Sequence, residues 1–203
     1  SLNLTIDTKV PRFGRLISQL HGVFILTEHP EGLMVIDIHA AHERILYERL
    51  KAEYQTRGLP TQQLLLPQTI ELSLMEWAIF KEHTPLFTDL GLDIEEWVDQ
   101  KVLIRAVPVL LQKADLKAFM QALLHDFDLL GASAQKDEHI DQILAEIACH
   151  SAIQAGQKLS PYEMQQLLQD MEHTPRIDYC NHGRPTSKLL TRTELDRLFL
   201  RGR

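Results

Sequence analysis

Val35-Ile36-Asp37-Ile38-His39-Ala40-Ala41-His42-Glu43-Arg44-Ile45-Leu46-Tyr47-Glu48 is the stretch that decides how this chain is read. It continues an apolar run, Gly32-Leu33-Met34-Val35-Ile36, that predicts a buried strand. A helical pattern follows, with Ile45, Leu46 and Leu50 on an apolar side and Glu43, Arg44, Glu48 and Arg49 among the polar positions. Asp37 and His39 are two apart, so in an extended segment they point the same way. His39 and Glu43 are four apart and lie one above the other at a helix start. Two carboxylates and an imidazole then converge, a donor set for zinc or manganese. The same residues also read as a plain helix start, with Asp37 as N-cap and His39 in the first turn. Spacing leaves both readings open.

Upstream, Phe13–His21 and Val23–Thr27 read as strands broken at Gly22, and the turn His29-Pro30-Glu31-Gly32 leads into the strand that ends at Asp37. These make an antiparallel meander, covered on one face by a helix from about Ala40 to Tyr54. Arg57–Thr61 reads as linker. Gln62-Gln63-Leu64-Leu65-Leu66-Pro67 predicts an extended segment, because Pro67 lacks a backbone donor and restricts the residue before it. Its leucines read either as a strand edge tucked into the core or as a peptide that docks in a partner's apolar groove, anchored by glutamine.

Residues 67–131 read as an inserted β-α-β-β-α unit. Thr69–Leu72 is a strand, and Leu74–Leu90 a helix with Trp77, Phe80 and Phe87 as core. Leu92–Trp97 and Val102–Pro108 form a hairpin, with Glu95 and Glu96 on a solvated face, and Leu116–Leu130 is a helix. Gly131–Lys136 is a second linker. A helix from about Glu138 to Gly156 follows, striped by Ile140, Ile143, Leu144 and Ile147. Ser160-Pro161-Tyr162-Glu163 starts another, running to about Glu172, and a last one covers Arg192–Leu200. The expected class is α/β of the α+β kind, with two subdomains. Residues 11–66 and 132–203 form one, residues 67–131 the inserted one, and residues 1–10 an extension or linker.

The hydrophobic fraction of 44% and charged fraction of 24% are those of an ordinary globular protein. No apolar run approaches the roughly 20 residues of a membrane span. The start, Ser1-Leu2-Asn3-Leu4-Thr5, has neither the basic region nor the apolar core of a secretory leader. It lacks an initiator Met and so reads as the start of a fragment. Two cysteines are too few for a disulfide scaffold, and a reducing cytosol is expected, where thiols are free to bind metal. The formal net charge of −7 predicts weak intrinsic binding to DNA, since phosphate neutralisation supplies most of such affinity.

Cys180-Asn181-His182-Gly183-Arg184-Pro185-Thr186 is poor secondary structure and good ligand geometry, since glycine lets the backbone turn tightly and proline fixes it. A loop with a buried, inert thiol is the bland reading. Yet both cysteines, Cys149 and Cys180, lie next to or near a histidine. Asp37, His39, Glu43, Cys149, Cys180 and His182 exceed what one tetrahedral ion needs, which suggests two metal positions or a shared ligand. Two ions close together can activate water and stabilise the leaving oxygen in phosphodiester cleavage.

Taken together, these segments resemble a family. Asp37-Ile38-His39-Ala40-Ala41-His42-Glu43, with Glu48, is similar to the D-Q-H-A-x-x-E-x-x-x-x-E signature of the endonuclease-type MutL mismatch-repair proteins. Ala148-Cys149-His150 resembles their A-C-R segment, Cys180–Pro185 their C-P-H-G-R-P, and Leu198-Phe199-Leu200-Arg201 their terminal F-x-R. Gln62, Leu65 and Pro67 match their sliding-clamp box, Q-x-x-L-x-P. Ile38, His150 and Asn181 depart from the pattern, at positions not expected to be ligands.

The resemblance implies the carboxy-terminal half of such a protein, without its ATPase domain. It implies a homodimer formed by the outer subdomain, with the inserted unit regulatory. It implies a nicking endonuclease dependent on Mn2+, with Zn2+ in a regulatory or structural role at the same site, acting in the bacterial cytoplasm and at the nucleoid during repair. Asp37, His39 and Glu43 are then the catalytic residues, and with Cys149, Cys180 and His182 the metal ligands. Asp37 is expected to be the most activity-sensitive. Glu48, about 140° around the helix from Glu43, fits a supporting or surface place better than a ligand's. Arg184 either contacts phosphate or fixes its own loop. Implied partners are the sliding clamp, double-stranded DNA held weakly by this part alone, and, through the full-length protein, the mismatch-recognition protein; no membrane is involved. The alternative is a non-catalytic dimerisation module with a structural zinc site.

Overall fold

The computed structural model describes residues 11–131 and 133–201. The expected linker over residues 1–10 lies outside them. In chain order the elements are β1 (Arg15–Leu20), β2 (Phe24–His29), β3 (Gly32–Asp37), α1 (Ile38–Arg57), β4 (Thr61–Glu71), α2 (Leu74–Asp89), β5 (Asp93–Trp97), β6 (Lys101–Pro108), α3 (Leu116–Leu130), α4 (Lys136–Ser151), α5 (Pro161–His173), β7 (Ser187–Thr191) and α6 (Arg192–Leu198). A 3-10 turn, Val109–Lys113, follows β6. Strands and helices are mixed in an α+β fold with two sheets.

The chain divides into two compact units, one ending at Ile45 and resuming at Ile153, the other Leu46–Ala152. These borders fall inside α1 and just past α4, whereas the sequence pattern places the inserted subdomain over residues 67–131 and its linkers at Arg57–Thr61 and Gly131–Lys136. Packing explains it. Leu46, Tyr47 and Leu50, and Ile140, Ile143, Leu144 and Ile147, all join the core built on β4–β6. A polar stretch marks where the chain is exposed, not where a core ends.

The first unit carries the antiparallel sheet β1-β2-β3-β7. Ile25 and Thr27 on β2, and Met34 and Ile36 on β3, alternate inward as a half-buried strand requires. They pack with Ile38, Ala41 and Ile45 of α1, and Met164, Leu167, Leu168 and Met171 of α5 complete the cluster. Strand β7 is not legible in Ser187-Lys188-Leu189-Leu190-Thr191, which lacks alternation, yet it pairs with β3 from Gly32↔Thr191 to Ile36↔Ser187.

The expected helix over Glu138–Gly156 stops instead at Ser151. Ala152 turns extended at ψ 157°, and the polar groups of Ile153 bond to side chains of α1 rather than to a next turn. Gly156 then donates its N–H to Gly22 O at 3.1 Å. A Cβ on Gly22, which has φ +69°, would come within 2.6 Å of Gly156 Cα, so this close approach needs glycine. The last helix ends at Leu198, short of the expected Leu200, whose φ is +54°.

In the second unit the sheet order is β4-β6-β5. Asp99 and Gln100, both at positive φ, make the predicted hairpin turn. Phe80 and Phe87 are fully buried, and Trp77 packs partly buried against the same core. Strand β4 merges the predicted peptide with the predicted strand. Gln63 pairs with Ala106 and Gln68 with Ile104, so Leu64–Pro67 stand opposite Arg105 alone and bulge out of the ladder. Pro67 has no N–H to give there. Leu64 packs on the core, but Leu65 and Leu66 are fully or almost fully exposed. Of the two readings of the leucine run, burial holds for Leu64 only.

Candidate metal centre

The site lies where β3 runs into α1, and β7 is what completes it. Because β7 pairs with β3, the loop before β7 is delivered beside the start of α1. Asp37 N–H donates to Thr186 O at 2.9 Å, extending that ladder one step. The buried Thr186 hydroxyl donates to Ile177 O, and Tyr179 and Pro185 form an isolated bridge. Between them the chain turns sharply. Cys180 N–H donates to Arg184 O at 2.8 Å and Gly183 N–H to Cys180 O at 3.1 Å, with Gly183 at φ +75°. The Cys180 and His182 side chains are thereby set against the second turn of α1.

Glu43 is the centre of the arrangement and is fully buried. Its Oε1 accepts from Asn181 N–H at 3.2 Å and from His182 Nδ1–H at 3.1 Å. Its Oε2 is buried and accepts no hydrogen bond among the described residues. His39 Nε2 lies 3.7 Å from that oxygen. The other nitrogen of His39, Nδ1, donates to Ile153 O at 3.1 Å, so Nε2 is a lone pair in the neutral ring and an N–H turned toward Glu43 in the protonated one. Burial acts to raise the Glu43 pKa, but the hydrogen bond and charge of His182, the Asn181 N–H and the charge of His39 outweigh it and hold the carboxyl below its ordinary value. Glu43, Cys180 and His182 each bring a ligand atom within 4.8 Å of the others.

A divalent cation fits these residues. A buried carboxylate oxygen with no donor is costly in a folded protein unless something positive satisfies it. The set supplies carboxylate oxygen, imidazole nitrogen and thiol sulfur, which together suit zinc. His39 is oriented by a carbonyl in the manner usual for a ligating histidine.

A family model described as the MutL C terminal dimerisation domain matches residues 17–159. The chain belongs to the MutL family. It is 43% identical over 202 residues to the DNA mismatch repair protein MutL of Cellvibrio japonicus, covering 100% of this chain and 32% of that protein. It is 42% identical over 203 residues to the MutL of Chromohalobacter salexigens (98% and 32%) and 44% over 189 residues to that of Ralstonia nicotianae (93% and 30%). The chain thus spans about a third of the length of these MutL relatives.

Within this MutL domain the other expected site residues fall in several places. Asp37 Oδ1 accepts from Ala40 N–H at 2.9 Å, so Asp37 is an N-cap of α1. Cys149 is half-buried in the last turn of α4, in the second unit. Glu48 is half-buried on α1. Arg184 fixes its own loop through its carbonyl and a side-chain bond to Cys180; that bond first, then the charges of Cys180, Glu43 and Asp37, keep its guanidinium pKa raised. Gln62 is half-buried, and Leu65 and Pro67 are exposed on β4.

The three departures from the MutL pattern have structural places. Ile38 is buried in the core of the first unit. His150 lies 3.4 Å from Glu146 and packs edge-on against Phe119. Asn181 gives Glu43 an N–H that a proline at this position lacks. Two contributors carry no motif in the sequence. Ile153 holds His39 through its carbonyl and donates its N–H to His42 Nδ1 at 3.0 Å, and Thr186 ties the loop to β3. Backbone partners carry no signature in side-chain pattern.

Proposed function

We propose that this domain is a metal-dependent endonuclease that nicks double-stranded DNA in mismatch repair, and that it works as a homodimer. The observation that carries the reading is a buried Glu43 carboxylate with a ligand atom in reach of Cys180 and His182, whose Oε2 has no donor among the described residues and lies 3.7 Å from His39 Nε2. Glu43, Cys180, His182 and His39 hold the ion, with Asp37 and Cys149 assigned to the same set by the family resemblance. Such an ion, Mn2+ for cleavage with Zn2+ in a regulatory or structural role, supplies charge stabilisation at a phosphodiester. Asn181 N–H and His182 Nδ1–H fix one Glu43 oxygen and so aim the other. With its net charge of −7 the domain binds DNA weakly, so recruitment comes from elsewhere. The exposed Leu65 and Leu66, next to Gln62 and Pro67, suit a clamp-binding peptide.

The second reading is a dimerisation module whose site is a structural zinc centre, and the burial of Cys180 favours it. Nicking of supercoiled plasmid with Mn2+, for the wild type and Glu43→Gln side by side, separates the two. Nicking that disappears in the variant supports the endonuclease. Nicking that persists at the wild-type rate, or a wild type inactive with the clamp and the rest of the protein supplied, leaves the module.

A further inference from the structure

The second unit holds a histidine pair that the centre described above does not use. His83 on α2 and His139 on α4 face each other with their Nε2 atoms 3.0 Å apart. Each ring is fixed from behind by its own helix. His83 Nδ1 lies 3.0 Å from Ile79 O, and His139 Nδ1 lies 3.1 Å from Gln135 O. A carbonyl only accepts, so both Nδ1 atoms carry hydrogen. In the neutral rings both Nε2 atoms are then bare lone pairs turned toward each other.

Two bare acceptors at this distance repel unless something positive lies against both. A direct N–H···N bond across the pair needs one ring to take up a second proton, and it would be bent. The ring centroids are 4.5 Å apart and the rings are tilted by 43°, too close for the rings to meet end to end across a 3.0 Å gap. The distance suits a shared ligand position instead. Two metal–nitrogen bonds of about 2.0–2.1 Å at a right angle span roughly 2.9 Å between nitrogens. The carbonyl-bound Nδ1–H on each ring is also the orientation that ligating histidines usually take. His139 is buried and packs edge-on against Phe127, with centroids 4.7 Å apart, so it has little freedom to turn away.

The pair opens onto a cleft of about 450 Å³, which gives an ion its entry and room for water. Glu82 and Asp128 line the same cleft and offer oxygen, directly or through water. Lys136 also lines it, but its ammonium is paired with Asp89 Oδ2 at 3.0 Å. We propose that His83 and His139 bind a divalent transition-metal ion that clips α2 to α4. Imidazoles meeting at a right angle suit tetragonal or octahedral ions such as Ni2+ or Cu2+.

The test is Ni2+ binding to the whole chain, by equilibrium dialysis, for the wild type and His83→Asn. The half-buried His83 is the gentler position to change. The wild type is expected to hold one more Ni2+ per chain than the variant, with the Glu43 centre intact in both. A second measurement needs no variant. In nitrogen NMR of the wild type, substoichiometric Ni2+ is expected to broaden the ring signals of His83 and His139 together. Equal Ni2+ in both proteins overturns the proposal. So do ring signals that ignore Ni2+ and titrate with pH as a proton-sharing pair.

Discussion

Asp37 has two roles that substitution can pull apart. Its Oδ1 caps α1 by accepting from Ala40 N–H at 2.9 Å, and Ala40 itself is almost wholly buried. Without the cap that donor faces no water, so its loss costs about 1–2 kcal/mol. Asparagine keeps an oxygen in the same place and caps as well as aspartate. Both Asp37→Asn and Asp37→Ala remove a negative charge at a helix start, about 0.3–1 kcal/mol each. The two variants therefore differ only by the cap. For a chain of this size the alanine variant is expected to melt on the order of 2–8 °C below the asparagine variant. Under the proposed function, both are expected to lose Mn2+-dependent nicking, because both lack the carboxylate. The assays are thermal melts by circular dichroism and plasmid relaxation on the same preparations. Equal melting temperatures would show that the cap is not what Asp37 gives the fold. Wild-type nicking by Asp37→Asn would remove the carboxylate from the chemistry.

A second prediction concerns pH. Burial first, then the charge of Glu146 and the hydrogen bond to it, raise the Asp126 pKa in the folded state. The native state then holds a proton that the unfolded chain releases, so stability falls as pH rises from the ordinary aspartate value through the raised one. Asp126→Asn is expected to flatten that fall in urea titrations run across this window, and an unchanged profile would contradict it. A third concerns β4. Leu65→Ser with Leu66→Ser is expected to change stability by no more than about 0.5 kcal/mol, since both side chains are exposed. Leu64→Ala is expected to cost more, because Leu64 packs on the core. If the exposed pair docks in the sliding clamp, clamp binding measured by surface plasmon resonance disappears in the double variant; unaltered binding would rule Leu65 and Leu66 out of the clamp contact.

Much of the fold was legible where periodicity is clean. β2 and β3 show as short apolar runs bounded by turn residues, α3 carries an apolar stripe, and Asp99 and Gln100 mark their turn. Legibility failed where a tertiary partner overrides local pattern. Nothing in Ser187–Thr191 demands a strand, but the open edge of β3 recruits it. Nothing local stops α4 at Ser151; histidines of α1 take the backbone of Ile153 instead. The candidate site divides in the same way. Glu43, Cys180 and His182 were readable as ligand types and do come together, though 137 or more residues separate Glu43 from the other two. Asp37 was readable both as cap and as ligand, and the structure displays the cap. The donor-free oxygen of Glu43 was not readable at all, because it depends on which side of one carboxylate Asn181 and His182 occupy.

Glu43, Cys180 and His182 are expected to hold a divalent ion together. The most direct measurement is anomalous diffraction at the zinc edge from crystals of this domain grown with Zn2+. A peak is expected about 2.3 Å from Cys180 Sγ and about 2.0–2.2 Å from a Glu43 carboxylate oxygen and a His182 ring nitrogen. A fully loaded crystal with no peak within bonding distance of Glu43, Cys180 and His182 would refute that placement.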